Sequence, residues 1–312
     1  MKKCFVHDVF RSAFAALVIA LCVLTCTVGL IAPQLPRQVV GRPALSPQHM
    51  MQYAAVPLVI LQNLDGSVQV HPQEEGGAIV VRAEVRIYTR DWGTTADAYA
   101  YAKTLHEVTE GGRVLEIVSE PLDRPDNLEV FVHYSIQVPH GTDLEIVSTN
   151  GNVFVGPGAG MVSVKGRNAD IDVRSPQGPV KAESINGRIR VRDAADSVQA
   201  ETLNGSIFAQ LNGGALRART NNGDVYAVLA SDQVTSCDLN TLNGTISVTL
   251  PLEGSAMVNA RTARGRVRTD CQIDSSGGVE RRGHLRGRIG QGEIDLTMDT
   301  LNGDIVVTRS TL

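Results

Sequence analysis

The sequence predicts an all-β protein, a single-chain β-solenoid of roughly 18-residue coils with one N-terminal capping helix, preceded by a transmembrane or signal segment. Asn-Gly pairs recur at a fixed spacing, and aliphatic residues hold the same positions relative to each pair. A fixed period of this length is typical of a stacked repeat architecture. A basic N-terminus followed by a long uncharged stretch indicates the membrane segment.

The first segment, 1–32, has the composition of a membrane anchor or a signal. Lys2, Lys3 and Arg11 precede the uncharged stretch, which as a helix would span about 30 Å, the thickness of a bilayer core. Because positive charges favour the cytoplasmic side, we expect a single pass through the bacterial cell membrane, with the C-terminal domain extracytoplasmic. A cleaved signal peptide and a lipoprotein modified at Cys26 are the alternatives.

Two less regular regions come next. Residues 33–57 are predicted to be a linker, because prolines crowd their first half. The region 58–145 contains alternating strand patterns on both sides of a helical pattern, which Thr94 or Thr95 can cap and Gly111 can end. We expect this helix to pack on the open first turns of the stack, since an uncovered strand edge invites aggregation. Its apolar face comprises Ala98, Tyr101, Ala102, Leu105 and Val108.

The regular solenoid is predicted for 146–312. Successive corners, marked by Gly or once by Ala169, are 18 residues apart from Gly151 to Gly223 and then 21 residues apart. Gly tolerates positive φ, and Asn bonds readily to neighbouring backbone, so the pair suits a tight corner. Stacked asparagine side chains can also bond to one another along the ladder. The asparagines predicted to form this structural ladder are Asn150, Asn186, Asn204, Asn222, Asn243 and Asn302.

Columns of aliphatic residues predict where the core lies. Ile171, Ile189 and Ile207 each fall two residues after a corner marker, and polar residues alternate with the aliphatic positions. This alternation predicts two short strands in each coil. Stacking places like residues about 4.8 Å apart and closes a continuous core. Each buried aliphatic side chain then contributes about 1.5–3 kcal/mol.

The C-terminal part of the repeat carries two further predictions. Cys237 is expected in an inward column between Leu216 and Val258, as a small core residue. Cys271 falls in a different column, which argues against a disulfide between the two. After Cys271 the period breaks, and residues 274–290 are predicted to form a projecting loop or a widened turn. Regular strands are expected to resume at Gly292.

These motifs resemble a known family. The matching elements are the repeated Asn-Gly-x-Ile/Val-x-Val, the early Asp-Gly-Ser-Val-Gln-Val at 65–70, and the ending that runs from Gly287 to Ile305. Together they resemble the bacterial putative-adhesin family of unknown function, in which a signal or membrane segment precedes a β-solenoid. The resemblance implies this fold for 58–312 and a role in surface attachment or envelope-stress sensing. It implies no ligand.

Composition and motifs exclude several function classes. A net charge of −4 is too close to neutral for nucleic acid to be a general partner. No nucleophile elbow, phosphate loop or zinc spacing is present. Outward acids such as Asp170, Asp172, Asp224 and Asp304 are interleaved with Arg or Ser, and no column gathers three carboxylates. We therefore predict no enzyme activity, no cofactor and no metal site.

Two surface features are candidates for binding. Phe208 and Tyr226 are predicted rung neighbours on the outward face, in the same column as Phe154, where aromatic rings can stack on sugars or meet a protein. The alternative is a stripe covered by the helical cap or a loop. A basic patch could meet anionic lipid or acidic envelope polymers, or be a solvated face. The patch comprises Arg264, Arg266, Arg268, Arg281, Arg282, Arg286 and Arg288.

The sequence therefore predicts a membrane-anchored, extracytoplasmic, non-catalytic binding or adhesion-like protein of the bacterial envelope. Its expected partners are the membrane, through the N-terminal segment, and an envelope polysaccharide, an anionic lipid or a protein. One alternative is a structural or sensory envelope component that acts through a protein partner. A second alternative is a glycan-cleaving β-helix enzyme, since elongated β-helices host such enzymes.

Overall fold

The computed structural model of the chain describes residues 48–73, 77–89, 107–110, 112–119, 128–274, 280–281 and 283–310. The described chain is all-β, and its long sheets of mostly parallel strands form a β-solenoid. In this part of the chain no helix has the length and hydrophobicity needed to cross a bilayer. The predicted membrane segment, 1–32, lies outside the described residues.

The N-terminal strands form the irregular first turns of the stack. They are β1 (Gln48–Ala54), β2 (Leu58–Asp65), β3 (Val68–Gln73), β4 (Ala78–Thr89), β5 (Glu107–Glu110), β6 (Val114–Ser119) and β7 (Leu128–Pro139). β2 and β3 belong to the parallel ladders of the coils that come after them. β4 pairs antiparallel with β7, β1 with β4, and β5 with β6, so antiparallel strands close this end of both sheets.

Two predictions for this region differ from the structure. Val108, expected on a helical face, lies in β5, because the outer side of β6 offers a strand edge with which this segment pairs. The rest of the predicted capping helix, 94–106, lies outside the described residues. Within the predicted linker, 33–57, β1 begins directly after Pro47, at the point where the proline cluster ends and a partner strand is available.

The middle coils each give one strand to each of two facing sheets. Their strands are β8 (Asp143–Asn150), β9 (Val153–Val155), β10 (Val162–Asn168), β11 (Ile171–Arg174), β12 (Val180–Asn186), β13 (Ile189–Ala194), β14 (Val198–Asn204), β15 (Ile207–Leu211), β16 (Gly214–Asn222), β17 (Val225–Leu229), β18 (Val234–Asn243) and β19 (Ile246–Leu250). The odd-numbered strands lie in sheet A and the even-numbered strands in sheet B. Inward residues of both sheets form one hydrophobic core between them.

The predicted register of the middle coils is confirmed. Ile171 pairs with Ile189, and Ile189 pairs with Ile207, so these residues stand directly above one another. All of them are at most 1% exposed. The coils stack in sequence order from β8 to β19, as the 18-residue spacing predicts.

Close approach of backbones at the corners explains the glycines. A Cβ on Gly205 would lie 2.1 Å from the carbonyl oxygen of Gly187, which leaves no room for a side chain. Ala169 is the exception among the corner residues, and Gly166 of the same coil leaves room for its methyl group. A Cβ on Gly166 would lie 2.8 Å from the Cβ of Ala169. Other coils place at this position a hydroxyl such as that of Thr202, which donates to the Gly187 carbonyl (3.1 Å).

The C-terminal strands do not stack in chain order. They are β20 (Ala256–Thr262), β21 (Val267–Thr269), β22 (Glu280–Arg281), β23 (His284–Ile289), β24 (Ile294–Asn302) and β25 (Ile305–Arg309). β24 lies between β18 and β20, and β25 lies between β19 and β21. The last coil of the chain is therefore inserted beneath the coil that precedes it in sequence.

The arrangement of the C-terminal strands corrects two predictions. Cys237 lies between Leu216 and Leu296, not beside Val258, because the Asn-Gly corner of β24–β25 stacks on the preceding Asn-Gly corner. The range 274–290 is not wholly a projecting loop, since it contains β22 and β23. These strands form an antiparallel cap on β20, which covers the open edge of sheet B. In the described chain, sheet A ends at β21 without such a cap.

Candidate functional site

The corner asparagines form a continuous chain of hydrogen bonds along one side of the stack. In each bond the side-chain Nδ2 of one asparagine donates to the Oδ1 of the asparagine one coil below, at 2.7–2.9 Å. At the N-terminal end Asn150 donates to Asp65 (2.7 Å), and at the other end Asn302 donates to Asn243 (2.7 Å). Such a ladder fixes the corners of successive coils against one another. The members are Asn150, Asn168, Asn186, Asn204, Asn222, Asn243 and Asn302.

The outward carboxylates of the middle coils are used in local contacts. Asp170 accepts from the backbone N–H of Arg188 (2.8 Å) and pairs with its guanidinium (2.9 Å). Asp172 pairs with Arg192 (3.4 Å) and Arg174 (3.2 Å), not with its register partner Arg190. Among the described residues, no group of three or more His, Cys, Asp or Glu side chains could hold a metal ion.

Phe208 and Tyr226 lie side by side in sheet A and line a groove of about 250 Å³ with three arginines. Tyr226 is 42% exposed, so the described residues leave it uncovered. Its hydroxyl donates to Asp224 (3.1 Å), and this bond raises the pKa of Tyr226 and fixes the ring. Phe154 lies apart from the groove, against Arg174, whose guanidinium carbon is 5.0 Å from the ring centre. The arginines that line the groove are Arg188, Arg190 and Arg192.

The groove carries one uncompensated cation. Arg188 and Arg192 are neutralised by carboxylates one coil away. Arg190 pairs in register with Phe208 and makes no ion pair with any residue that the structure describes. A planar guanidinium such as that of Arg190 can bind a carboxylate in a bidentate manner, while the neighbouring ring of Phe208 and the ring of Tyr226 beyond it contact an apolar surface.

The predicted basic patch is only partly brought together. Arg264, Arg266 and Arg268 line a cleft of about 590 Å³ with Gly265 and Asp304. Arg268 pairs with Asp304 (3.4 Å). Arg286 and Arg288 are on β23 and do not line the cleft, and Arg288 is paired with Asp274 (3.2 Å). The side chain of Arg281 in β22 is not described, and Arg282 lies outside the described residues.

Comparison with known proteins identifies the family. The family model described as Toastrack DUF4097 matches residues 130–308, which is more than half of the chain. The chain belongs to this family. The family resemblance inferred from the repeated Asn-Gly motifs is thereby confirmed. No curated protein sequence matches the chain.

Solved structures similar to this Toastrack chain come from several bacteria. A putative adhesin from Bacteroides fragilis NCTC 9343 is 12% identical, with 86% of this chain and 100% of that chain covered and a TM-score of 0.47. A putative cell adhesion protein from Clostridium sporogenes ATCC 15579 is 11% identical, with 85% and 100% covered and a TM-score of 0.24. A putative lipid binding protein from Parabacteroides distasonis ATCC 8503 is 9% identical, with 87% and 98% covered and a TM-score of 0.33.

A row of exposed leucines on the Toastrack solenoid was missed by the sequence reasoning. Leu203, Leu242 and Leu301 each precede a corner asparagine and are 44–48% exposed. Leu242 and Leu301 occupy adjacent coils, since the asparagines after them are register partners. The signal lies in the column one residue before each asparagine, where leucine occurs in three coils, although Asn221 separates Leu203 from Leu242.

The two described cysteines are free thiols. Cys237 is 2% exposed, and burial raises the pKa of its thiol to about 12. Cys271 lies at the C-terminal end and is 8% exposed, and burial raises the pKa of its thiol as well. A thiol that stays protonated is a poor nucleophile, so neither cysteine has the properties of a reactive site.

Proposed function

We propose that this Toastrack protein is a membrane-anchored, extracytoplasmic, non-catalytic binding protein of the bacterial envelope, and that sheet A holds an acidic polysaccharide. The observation that carries the proposal is the groove in which Arg190, without an acidic partner among the described residues, lies beside Phe208, with Tyr226 one coil further along the same column. The groove has one cation that is unpaired among the described residues and two aromatic side chains, a combination that suits an acidic sugar chain.

The chemistry of each component supports an acidic sugar as ligand. Aromatic rings offer apolar faces against which the C–H face of a sugar ring can pack. Arg190 can bind a uronic acid carboxylate through two parallel hydrogen bonds. Because the strands of one sheet repeat about every 4.8 Å, the same outward column continues along the stack and can accommodate an extended polymer. The column continues in both directions from the groove, through Asp172 and through Ser247.

Retention on immobilised polygalacturonate tests the binding. The full-length chain, purified in mild detergent, is expected to be retained, whereas Phe208→Ala/Tyr226→Ala and Arg190→Gln variants each bind about tenfold more weakly. Met257→Ala is the matched control, since Met257 is an equally exposed apolar residue (43%) on sheet B. Retention of both groove variants at the level of the unchanged protein would contradict the proposal.

Localisation is tested separately. The charges at Lys2, Lys3 and Arg11 before the uncharged stretch support a cytoplasmic N-terminus. In spheroplasts of a bacterium that expresses the full chain, added protease is expected to degrade the solenoid while membranes are intact. Protection of the solenoid until the membrane is lysed would contradict an extracytoplasmic location.

A structural or sensory role through a protein partner is the second candidate, and the leucine row favours it. Exposed aliphatic side chains in adjacent coils are a surface that a protein can bury. A photo-crosslinker at Leu242 is expected to capture one defined partner in cells, and a crosslinker at Phe208 is expected to capture none. The same partner at both positions, or none at Leu242, would argue against this candidate.

A further inference from the structure

The last corner of the stack, residues 264–268, differs from the other corners because no further coil covers it in sheet A of the described chain. In the middle coils two backbone N–H groups point to the next coil at each corner that has a glycine. The Gly205 N–H donates to the Asn222 carbonyl (2.9 Å), and the Ile207 N–H donates to the Asp224 carbonyl (2.9 Å). The same two bonds recur one coil further, from Gly223 and from the residue two positions after it. A carbonyl of the next coil is therefore the usual acceptor for both groups.

At the terminal corner the corresponding N–H groups belong to Gly265 and Val267. The side of this corner that faces the stack is satisfied, because the Ile305 N–H donates to the Arg266 carbonyl (2.9 Å) and the Arg266 N–H donates to Asp304 (2.9 Å). On the other side the described residues provide no acceptor for Gly265 or Val267. Two neighbouring backbone donors thus face outward together.

The antiparallel cap leaves this corner open. β22 and β23 cover β20 in sheet B, where the Gly283 carbonyl accepts from the Thr262 N–H (2.8 Å). Gly283 also forms one wall of the cleft of about 590 Å³ at the corner. The cap therefore bounds the cleft on the sheet B side and leaves the edge of β21 uncovered in the described chain.

The charge of the cleft is strongly positive. Arg264 and Arg266 form no ion pair with any residue that the structure describes, and Arg268 pairs with Asp304 (3.4 Å). Three guanidinium groups and one carboxylate line the cleft, which leaves an excess of two positive charges. The backbone of Gly265 lines the cleft with these arginines, a combination that can hold an oxyanion. Val267 does not line the cleft itself but follows Arg266 directly in the chain, at the start of the same uncovered strand.

We propose that the terminal corner binds a phosphate monoester, with the Gly265 and Val267 N–H groups donating to its oxygens and Arg264, Arg266 and Arg268 providing the charge. A phosphate monoester carries a charge of about −1.5 to −2 at pH 7, which matches the excess in the cleft. The headgroup of phosphatidic acid is such a monoester, and free inorganic phosphate has a similar charge and the same kind of acceptor oxygens. The site is separate from the polysaccharide groove and does not depend on it.

Calorimetric titration of the full-length chain in detergent tests the site with two probes. The probes are inorganic phosphate and short-chain phosphatidic acid, both titrated at one fixed detergent concentration. Short-chain phosphatidylcholine is the negative control, because it enters the detergent micelles equally but has no phosphate monoester. Arg264→Gln/Arg266→Gln is expected to weaken phosphate binding by tenfold or more, about the contribution of charged hydrogen bonds. Arg167→Gln is the matched control, since Arg167 is an exposed arginine beside a middle corner.

The backbone donor is tested at Val267. Val267→Pro removes the N–H, and Val267→Ala keeps it while also removing side-chain bulk. Since proline is tolerated on an edge strand whose N–H faces outward, both variants are expected to fold. Binding to Val267→Pro should be about tenfold weaker than binding to Val267→Ala. If the proline variant does not fold, the Arg264→Gln/Arg266→Gln variant alone tests phosphate binding at the corner, because both substitutions are on an exposed surface.

The outcomes separate the sources of the anion. Tighter binding of phosphatidic acid than of inorganic phosphate supports a lipid headgroup, and equal binding supports a free phosphate monoester. Absence of binding to either probe overturns the proposal. Binding that is unchanged in both the arginine pair and Val267→Pro also overturns it, because the anion would then lie elsewhere on the chain.

Discussion

The middle coils and the terminal corner are built on the same turn, yet they differ in one residue of that turn. In the middle coils the residue before the corner glycine is asparagine, whose side chain bonds to the coils on both sides. At the terminal corner the residue before Gly265 is Arg264, which cannot continue the ladder. The asparagine marks a corner that another coil covers, and the arginine marks a corner that no further coil covers in the described chain.

The same comparison explains why the last coil of the chain is inserted and not added at the end. Asn302 carries the asparagine that bonds to Asn243, so the β24–β25 coil has the corner that fits the top of the ladder. The coil with Arg264 is then displaced to the outer position. The coils therefore stack in the order that keeps the asparagine ladder continuous, and not in the order of the chain.

The largest expected effect comes from placing a charge in a middle coil. Ile207 is fully buried between Ile189 and Val225, so Ile207→Asp brings an unpaired carboxylate into the core. We expect a loss of about 4–5 kcal/mol or more, close to the whole stability of a domain. Chemical unfolding monitored by circular dichroism should show no cooperative transition.

Two variants sharpen this first result. Ser206→Asp places the same residue one position away, where Asp170 and Asp224 already occur in other coils, and should change stability by less than about 1 kcal/mol. Val267→Asp occupies the position of Ile207 at the terminal corner, which is only partly buried, and should be intermediate. Equal effects of Ile207→Asp and Ser206→Asp would reject the assigned register.

The second prediction concerns the corner glycine. Gly205→Ala forces a Cβ against the Gly187 carbonyl, and we expect a loss of about 1–3 kcal/mol. Thr202→Gly/Gly205→Ala reproduces the pair that Gly166 and Ala169 form naturally. The double variant should therefore be more stable than the sum of the single variants predicts, by about 1 kcal/mol.

A double-mutant cycle measured by urea unfolding checks this prediction. Gly77→Ala provides the control, since nothing lies within 4 Å of a Cβ at that position. Strict additivity of the two changes would show that the hydroxyl column does not make room for the corner alanine.

The third prediction compares the middle of the asparagine ladder with its end. Asn222→Ala removes bonds to Asn204 and Asn243 and should cost about 1–2 kcal/mol. Asn302→Ala removes the single described bond to Asn243 and should cost about half as much. Unfolding midpoints of the two variants provide the measurement, with Asn212→Ala, at an exposed turn off the ladder, as control. A larger loss at Asn302 would contradict a uniform ladder.

Most of the fold was predictable because each coil repeats the same local pattern of inward and outward side chains. The 18-residue spacing and the alternation at Ile171, Ile189 and Ile207 determine which side chains face inward, and any stacked arrangement must preserve them. The order of the last two coils was not predictable from spacing, since both fit the same grid. The signal that distinguishes them is Arg264 in place of asparagine, and its meaning depends on a contact between coils that are distant in the chain.

The candidate sites were less predictable than the fold. The register predicts that Phe208 and Tyr226 are neighbours. It does not predict that Arg190 lacks an ion pair, because Asp172 forms its ion pairs with Arg174 and Arg192, and side-chain geometry determines which arginines it contacts. The terminal cleft was visible only as a cluster of arginines. Its proposed backbone donors belong to Gly265 and Val267. The sequence pattern does not show that these N–H groups lack a following coil to accept their hydrogen bonds.

The last and smallest prediction compares one cysteine from each region. Cys237 lies in a middle coil beside Leu216 and Leu296, and its thiol, with a pKa of about 12, is protonated at neutral pH. Cys271 lies beyond β21, where no further coil covers sheet A in the described chain, and is slightly more exposed. Because alkylation requires the exposed thiolate, iodoacetamide should modify Cys271 first, and Cys237 only through unfolding.

Peptide mass spectrometry of the native full-length chain measures the two rates. In urea the rates should become similar, since both thiols then have ordinary solvent exposure. Faster modification of Cys237 in the native protein would mean that the middle coils open more readily than the C-terminal end. That result would contradict the view that each coil is held by the next coil in the stack, on which both the ladder and the open terminal corner depend.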